Sequence, residues 1–149
     1  MIGIIRKPAL GPAPAAIRAP TTRYSPAATA VAGVFVTFSR DGKFADPQLT
    51  VSAIAGQTGL SEDDVKDALH ELGHHILAKH ALVLPKDTLY AEFDRYWQPW
   101  DPAKDSLKLA ADMLNDAKFP IFPKDIADRY EWPPRRLNPA ITYPQTDYL

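Results

Sequence analysis

Residues Thr50 to His75 read TVSAIAGQTGLSEDDVKDALHELGHH, and two patterns with different chemical consequences overlap in them. In the first, Ile54, Ala55, Gly59, Leu60, Val65 and Ala68 put small and apolar residues where two helices would cross steeply about a tight glycine turn. In the second, His70-Glu71-Leu72-Gly73-His74 places two imidazoles one helical turn apart with a carboxylate between them. The first pattern concerns how the chain folds and what surface it offers. The second would be a catalytic metal site.

Taking the first pattern outward, Val51 to Thr58 is expected to be a short helix stopped at Gly59. Ser61 with Asp64 gives a capping-box-like start to a longer helix running to about Ala78. His80 to Leu84 and Thr88 to Tyr90 are β-prone about a Pro85-Lys86-Asp87 turn, which predicts a small hairpin around Lys86. Upstream, Ser25 can cap a helix with Pro26 at its first position and an apolar run through Val31, Val34, Phe35 and Phe38, ended by Asp41-Gly42. A strand over Val34 to Phe38 is the alternative. Downstream, Glu92 to Trp97 is expected to be helical, and Asp101-Pro102 starts a helix carrying Leu107, Ala110, Ala111 and Leu114. Lys124 to Tyr130 and Pro134 to about Tyr143 form a last helix pair, the second bent by Pro139.

The segments from Ser25 to Trp97 resemble the winged helix-turn-helix family. That resemblance implies an α+β, mostly helical fold with a β-hairpin wing, in which the second helix of the pair enters a DNA major groove and the wing lies on the adjacent backbone. A shift of 72 residues superposes Ile54 on Ile126, Ala55 on Ala127, Leu60 on Trp132, Val65 on Leu137, Ala68 on Ala140 and Leu69 on Ile141, so a second helix-turn-helix-like module is expected. Gly59 falls on Glu131 and Leu72 on Pro144, where the second copy departs from the family pattern. The expected organisation is a Pro/Ala-rich basic arm over residues 1–25, a winged module over 26–100 and the second module over 101–149.

Charge assigns the expected contacts. The helix from Ser61 to His75 carries Asp63, Asp67 and Glu71 against Lys66, and carboxylates repel phosphates where binding depends on replacing counterions. Arg129, Arg135, Arg136 and Trp132, with Lys124 nearby, are the better candidates for nucleic acid, together with Arg18 and Arg23 of the arm; Arg135-Arg136 could pair with phosphate or guanine edges. The expected role is that of a DNA-binding regulator of transcription or an accessory protein. The rival is a protein-interaction module of the same fold, favoured by the acidic first module. The oligomeric state is left open.

His70-Glu71-x-x-His74 resembles a zincin active-site helix, with His70 and His74 as zinc ligands and Glu71 polarising the bound water. This zinc-dependent metallopeptidase is the second alternative. Metzincins place a third histidine where His80 falls, but the glycine that lets their chain leave the helix is here Leu77. On an unbroken helix His80 would lie on the far side of His70 from His74. Asp67, Glu92 and Asp94 match no specific third-ligand signature, so no cofactor is expected.

Composition bounds the rest. With 149 residues, 46% hydrophobic and 23% charged, the chain suits one ordinary domain or two small ones. No run of apolar residues is long enough to cross a bilayer, so no membrane partner is expected. Absence of cysteine removes disulfides, thiolate metal sites and a cysteine nucleophile, and agrees with a cytoplasmic location. The net charge of −1 conceals a basic start, with Arg6, Lys7, Arg18, Arg23, Arg40 and Lys43 against Asp41 alone, which suits either a nucleic-acid contact or a solubilising tail. Pro8, Pro12, Pro14 and Pro20 break the amphipathic helix a transit peptide needs.

Overall fold

The hydroxyl of Ser25 accepts a hydrogen bond from the Ala28 amide, and Pro26 follows it at the first helical position, so the chain enters α1 (Pro26–Phe38) as its sequence predicts. The structure is a computed structural model and describes residues 16–18 and 23–147. α1 is apolar on nearly every side. Val31, Ala32, Val34, Phe35 and Val36 are all buried, as a helix at the centre of a core requires. It ends at Phe38, before the predicted Asp41-Gly42, where Ser39 turns extended and Asp46 gathers the Ser39 hydroxyl and the Arg40 and Asp41 amides on one carboxylate oxygen.

β1 (Leu49–Thr50) leads directly into α2 (Val51–Thr58), with Thr50 capping it through the Ala53 amide. Gly59, at φ +78°, closes α2 in the left-handed conformation that glycine adopts without a Cβ clash. Ser61 then caps α3 (Glu62–Leu72) through the Asp64 amide. The expected continuation of this helix to Ala78 does not occur. Gly73 takes φ +52° and ψ −111°, ends the helix and opens a 3-10 turn over Gly73–His75. β2 (Ile76–Lys79) and β3 (Leu82–Pro85) follow as an antiparallel hairpin.

That hairpin therefore turns at His80-Ala81, with His80 at φ +58°, and not around Lys86. Thr88 to Tyr90, expected as its second strand, lies in α4 (Asp87–Trp97). Leu89, Tyr90, Phe93 and Tyr96 recur there at helical spacing and are all buried, so burial of one helical face overrides the strand preference of Thr88 and Tyr90. Leu49 and Thr50 pair with Val83 and Leu82, giving a three-stranded antiparallel sheet in the order β1-β3-β2. Helices α1 to α4 and this sheet close over one core that includes Phe35, Ile54, Val65, Leu72, Val83, Leu89 and Phe93.

α5 (Pro102–Asn115) is capped by Asp101 through the Ala103 amide, and α6 (Pro123–Tyr130) and α7 (Pro134–Asp147) complete a second unit. The internal repeat is geometric as well as compositional. α2 and α6 begin at 51 and 123 and end at 58 and 130, α3 and α7 begin at 62 and 134, and each interval is the same 72 residues. Glu131 takes φ +56° where Gly59 takes +78°, so the turn keeps its shape although its residue changed. α7 runs on through Pro139. Leu109, Ile126, Ala127, Leu137 and Ala140 form the core of this unit, with Phe119, Trp132 and Ile141 packed against it.

Leu107 and Leu114, which α5 carries, do not form its buried face. Leu107 is 72% exposed and Leu114 87%, while Asp105, Ser106 and Leu109 face inward. Arg136 holds Asp105 in place through two hydrogen bonds of 2.8 and 2.9 Å, and this pair rotates α5 so that its more apolar stripe faces solvent.

Close packing at one point of the first core supplies a test. A Cβ built on Gly33 would stand 2.4 Å from Cζ2 of Trp97, whose indole lies against the glycine. Gly33→Ala gains up to about 1 kcal/mol of helix propensity, but overpacking costs about 1–3 kcal/mol. A net loss of stability in chemical melts is expected; a gain would mean that the indole does not occupy this place.

Candidate nucleic-acid interface

α3 and the β2–β3 hairpin enclose an open groove of about 760 Å³, floored by Leu69, Ile76 and Val83 and reached by the start of α2. Lys66 and His70 line it from α3, His80 from the hairpin turn, and Thr50 and Ser52 from β1 and α2. Helical spacing sorts the charges of α3. Among its five acids, Glu62, Asp63, Asp64, Asp67 and Glu71, the groove wall takes Glu62 alone. Glu71 lies on another side, where its two carboxylate oxygens accept from the amide and the hydroxyl of Ser25 at 2.7 Å each. These bonds hold the Glu71 carboxyl below its usual range.

The residues expected to meet phosphate in the second unit are engaged internally. Arg135 is buried, with its guanidinium bonded to both oxygens of Asp94 at 2.7 Å each and to the Val36 carbonyl at 3.1 Å. The Tyr90 ring lies 4.8 Å from its carbon and the Trp100 ring 5.8 Å. Arg136 is bonded to Asp105 and sits 4.3 Å from the Trp132 ring, which itself stacks on Tyr130 at 4.7 Å. Arg135 and Arg136, expected to pair with phosphate or guanine edges, instead each have a carboxylate partner that charge-assisted pairing holds in a fork geometry. Arg129 pairs with Asp116 at 2.8 Å and Lys124 with Asp128 at 3.1 Å, both at the surface.

Of the basic arm, Arg6 and Lys7 lie outside the described residues. Arg18 donates to the carbonyls of Arg95 and Gln98, satisfying the last turn of α4, and Ile17 donates to the Tyr96 carbonyl at 2.8 Å. Arg23 is exposed, with its guanidinium 5.2 Å from the Tyr24 ring.

The zincin-like set is not assembled by this geometry. With α3 ended at Leu72, His70 and His74 no longer share one helical face, Glu71 caps α1, His80 sits in the hairpin turn, and Asp94 is held by Arg135. Among the described residues, no group of three or more His, Asp or Glu comes close enough to hold a metal ion.

The histidine that the fold uses most belongs to neither sequence pattern. His75 is 1% exposed, packed against Tyr24, His74 and Phe93, with Nδ1 2.9 Å from the Thr88 hydroxyl. Burial pushes its pKa down to about 4, with further lowering from His74 and Arg23. Only the helix break at Gly73 could have signalled that His75 turns inward. No family model, no curated protein and no solved structure matches the chain.

Proposed function

We propose that the chain is a nucleic-acid-binding protein of the winged helix-turn-helix type, a regulator or accessory factor, acting through the groove between α3 and the hairpin. The order α1-β1-α2-α3-β2-β3 with the sheet order β1-β3-β2 supports the family resemblance beyond what the sequence offered, since it includes a short strand before α2. The observation that carries the functional reading is the sorting of charge on α3: Lys66 and His70 line the groove with a single acid, Glu62, while Asp63, Asp64 and Asp67 stay off its wall. In this arrangement α3 lies along a major groove with Lys66 toward the backbone, and Lys79 beside the hairpin turn meets the adjacent phosphates. The acids that remain on α3 keep such binding weak, and with two lysines at the phosphates its salt slope is only about two units.

Titration of mixed-sequence duplex at low salt, repeated as salt is raised, tests this. Each phosphate that the protein neutralises contributes about 0.9 to the salt slope, so Lys66→Ala and Lys79→Ala should each flatten it by about one unit, while Lys124→Ala should leave it unchanged. A wild-type protein with no salt-sensitive binding would remove the proposal.

The second reading, a protein-interaction module of the same fold, is favoured by a different observation. Asp63, Asp64 and Asp67 form an exposed acidic face on α3 whose side chains make no ion pair among the described residues. Such a face suits a basic protein surface better than a phosphate backbone. Binding of a basic protein that disappears in Asp63→Asn with Asp67→Asn, in the absence of duplex binding, is the outcome that would favour it.

A further inference from the structure

The histidines of the first unit sort into two pairs. His75 is buried and His74 lies against it, their ring centroids 4.2 Å apart. His70 and His80 are exposed, and neither imidazole makes a hydrogen bond, an ion pair or a ring contact among the described residues. Both line the groove between α3 and the hairpin, His70 from the last turn of α3 and His80 from the tip of the hairpin. The charged residues that share the lining with them are Glu62 and Lys66, one of each sign. The lining therefore carries no net charge while its two imidazoles are neutral, and two positive charges once both hold a proton. β1 and α2 bring Thr50 and Ser52 to it and add no charge. Around the rim, Lys79 precedes His80 on the hairpin, Asp67 stays off the wall of α3, and His74 follows Gly73 in the 3-10 turn.

We infer that protonated His70 and His80 are phosphate-binding groups of this groove, so that nucleic acid and protons bind it together and binding tightens as the pH falls from 8 to 5.5. The inference rests on the reading of the groove as a nucleic-acid interface. Imidazole is the side chain whose charge changes within that range. Carboxylates keep their charge there, so the repulsion from the acids of α3 stays constant and the gain belongs to the histidines. Lys66 and His70 stand one helical turn apart and form a row along α3, and His80 meets the same ligand from the other wall. A neutral imidazole displaces no counterion from a phosphate, whereas an imidazolium does, which couples the proton to the affinity. The turn itself does not call for the ring of His80: its φ of +58° is one that glycine adopts at least cost.

Titration of the full chain with mixed-sequence duplex at pH 8 and at pH 5.5, each repeated as salt is raised, is the test. At pH 5.5 the wild type should bind about tenfold tighter or more at low salt, and its salt slope should steepen by up to about 1.8, which is about 0.9 for each added phosphate contact. His70→Gln and His80→Gly should each lose about half of that steepening and the double variant all of it, whereas His74→Gln should keep it. His80→Gly suits the turn, so its loss of pH dependence is not a loss of fold. Both pH values lie above the value of about 4 to which burial pushes His75, so the hairpin stays in place throughout. Salt-sensitive binding with the same affinity and slope at both pH values overturns the inference and leaves the nucleic-acid reading standing, as does a pH dependence that survives in the double variant. Absence of salt-sensitive binding at both pH values overturns the two together.

Discussion

Arg135→Ala is expected to lower the stability of the protein by about 3–5 kcal/mol, the usual cost of leaving one partner of a buried ion pair behind. Asp94 is fully buried, so its carboxylate would be left with little compensation beyond the Trp100 indole N–H at 3.2 Å. The loss is felt across the molecule because Arg135 begins α7, Asp94 belongs to α4 and the Val36 carbonyl to α1. Asn138 adds a second tie, from its side-chain amide to the Asp41 carbonyl at 2.7 Å. For a chain of this size the melting temperature should fall by about 10 °C or more. Replacing both charges together, in Arg135→Met with Asp94→Leu, should cost far less than either single removal, because no charge is stranded. Thermal melts of Arg135→Ala, Arg135→Met, Asp94→Leu and the double variant decide the matter. If Arg135→Ala melts like wild type and loses only DNA affinity, the guanidinium faces solvent and the internal pair does not form.

The second large effect is on acid stability, through His75. An unfolded chain takes a proton on this imidazole near the ordinary value of about 6.5, whereas the folded chain resists until about pH 4. Between those values the unfolded state binds more protons, so stability falls as the pH falls through that window and levels off below it. The total is about 3 kcal/mol. His75→Asn removes the titrating group, and its unfolding free energy should vary correspondingly less between pH 7 and pH 4.5. Urea melts at both pH values, with wild type alongside, measure the difference. Identical pH dependence in the two proteins would mean that His75 is accessible to protons in the folded state. Because His75 joins the end of α3 to β2 and is bonded to Thr88 of α4, its protonation would loosen the hairpin that forms one wall of the groove.

What could be read from the sequence was local. Ser25 with Pro26, Ser61 with Asp64, Asp101 with Pro102 and the turn at Gly59 each act within a few residues, and helices start or stop at all of them. The repeat was legible for a related reason: the same apolar spacing recurs in both units, whose helix pairs begin 72 residues apart. Boundaries set by competition between elements were not legible. Gly73 lies inside an apolar stripe that continues helical to Ile76, and only the pairing of Ile76–Lys79 with Leu82–Pro85 makes the break worthwhile.

The chemistry of the candidate site lay further out of reach, since it depends on which distant side chains meet. Nothing near Arg135 in the chain announces a partner 41 residues away, and as an isolated pattern Arg135-Arg136 carries the same signal as a phosphate clamp. Tertiary packing drew both arginines to carboxylates and turned Glu71 to the cap of α1. It also buried His75 and exposed the α5 stripe by drawing Asp105 inward. Local sequence determined where α1, α3 and α5 begin and where α2 stops, because capping and glycine turns are short-range. Tertiary structure alone decided which charges remain available to a ligand, because a long charged side chain is satisfied by whichever opposite charge the fold brings within its reach.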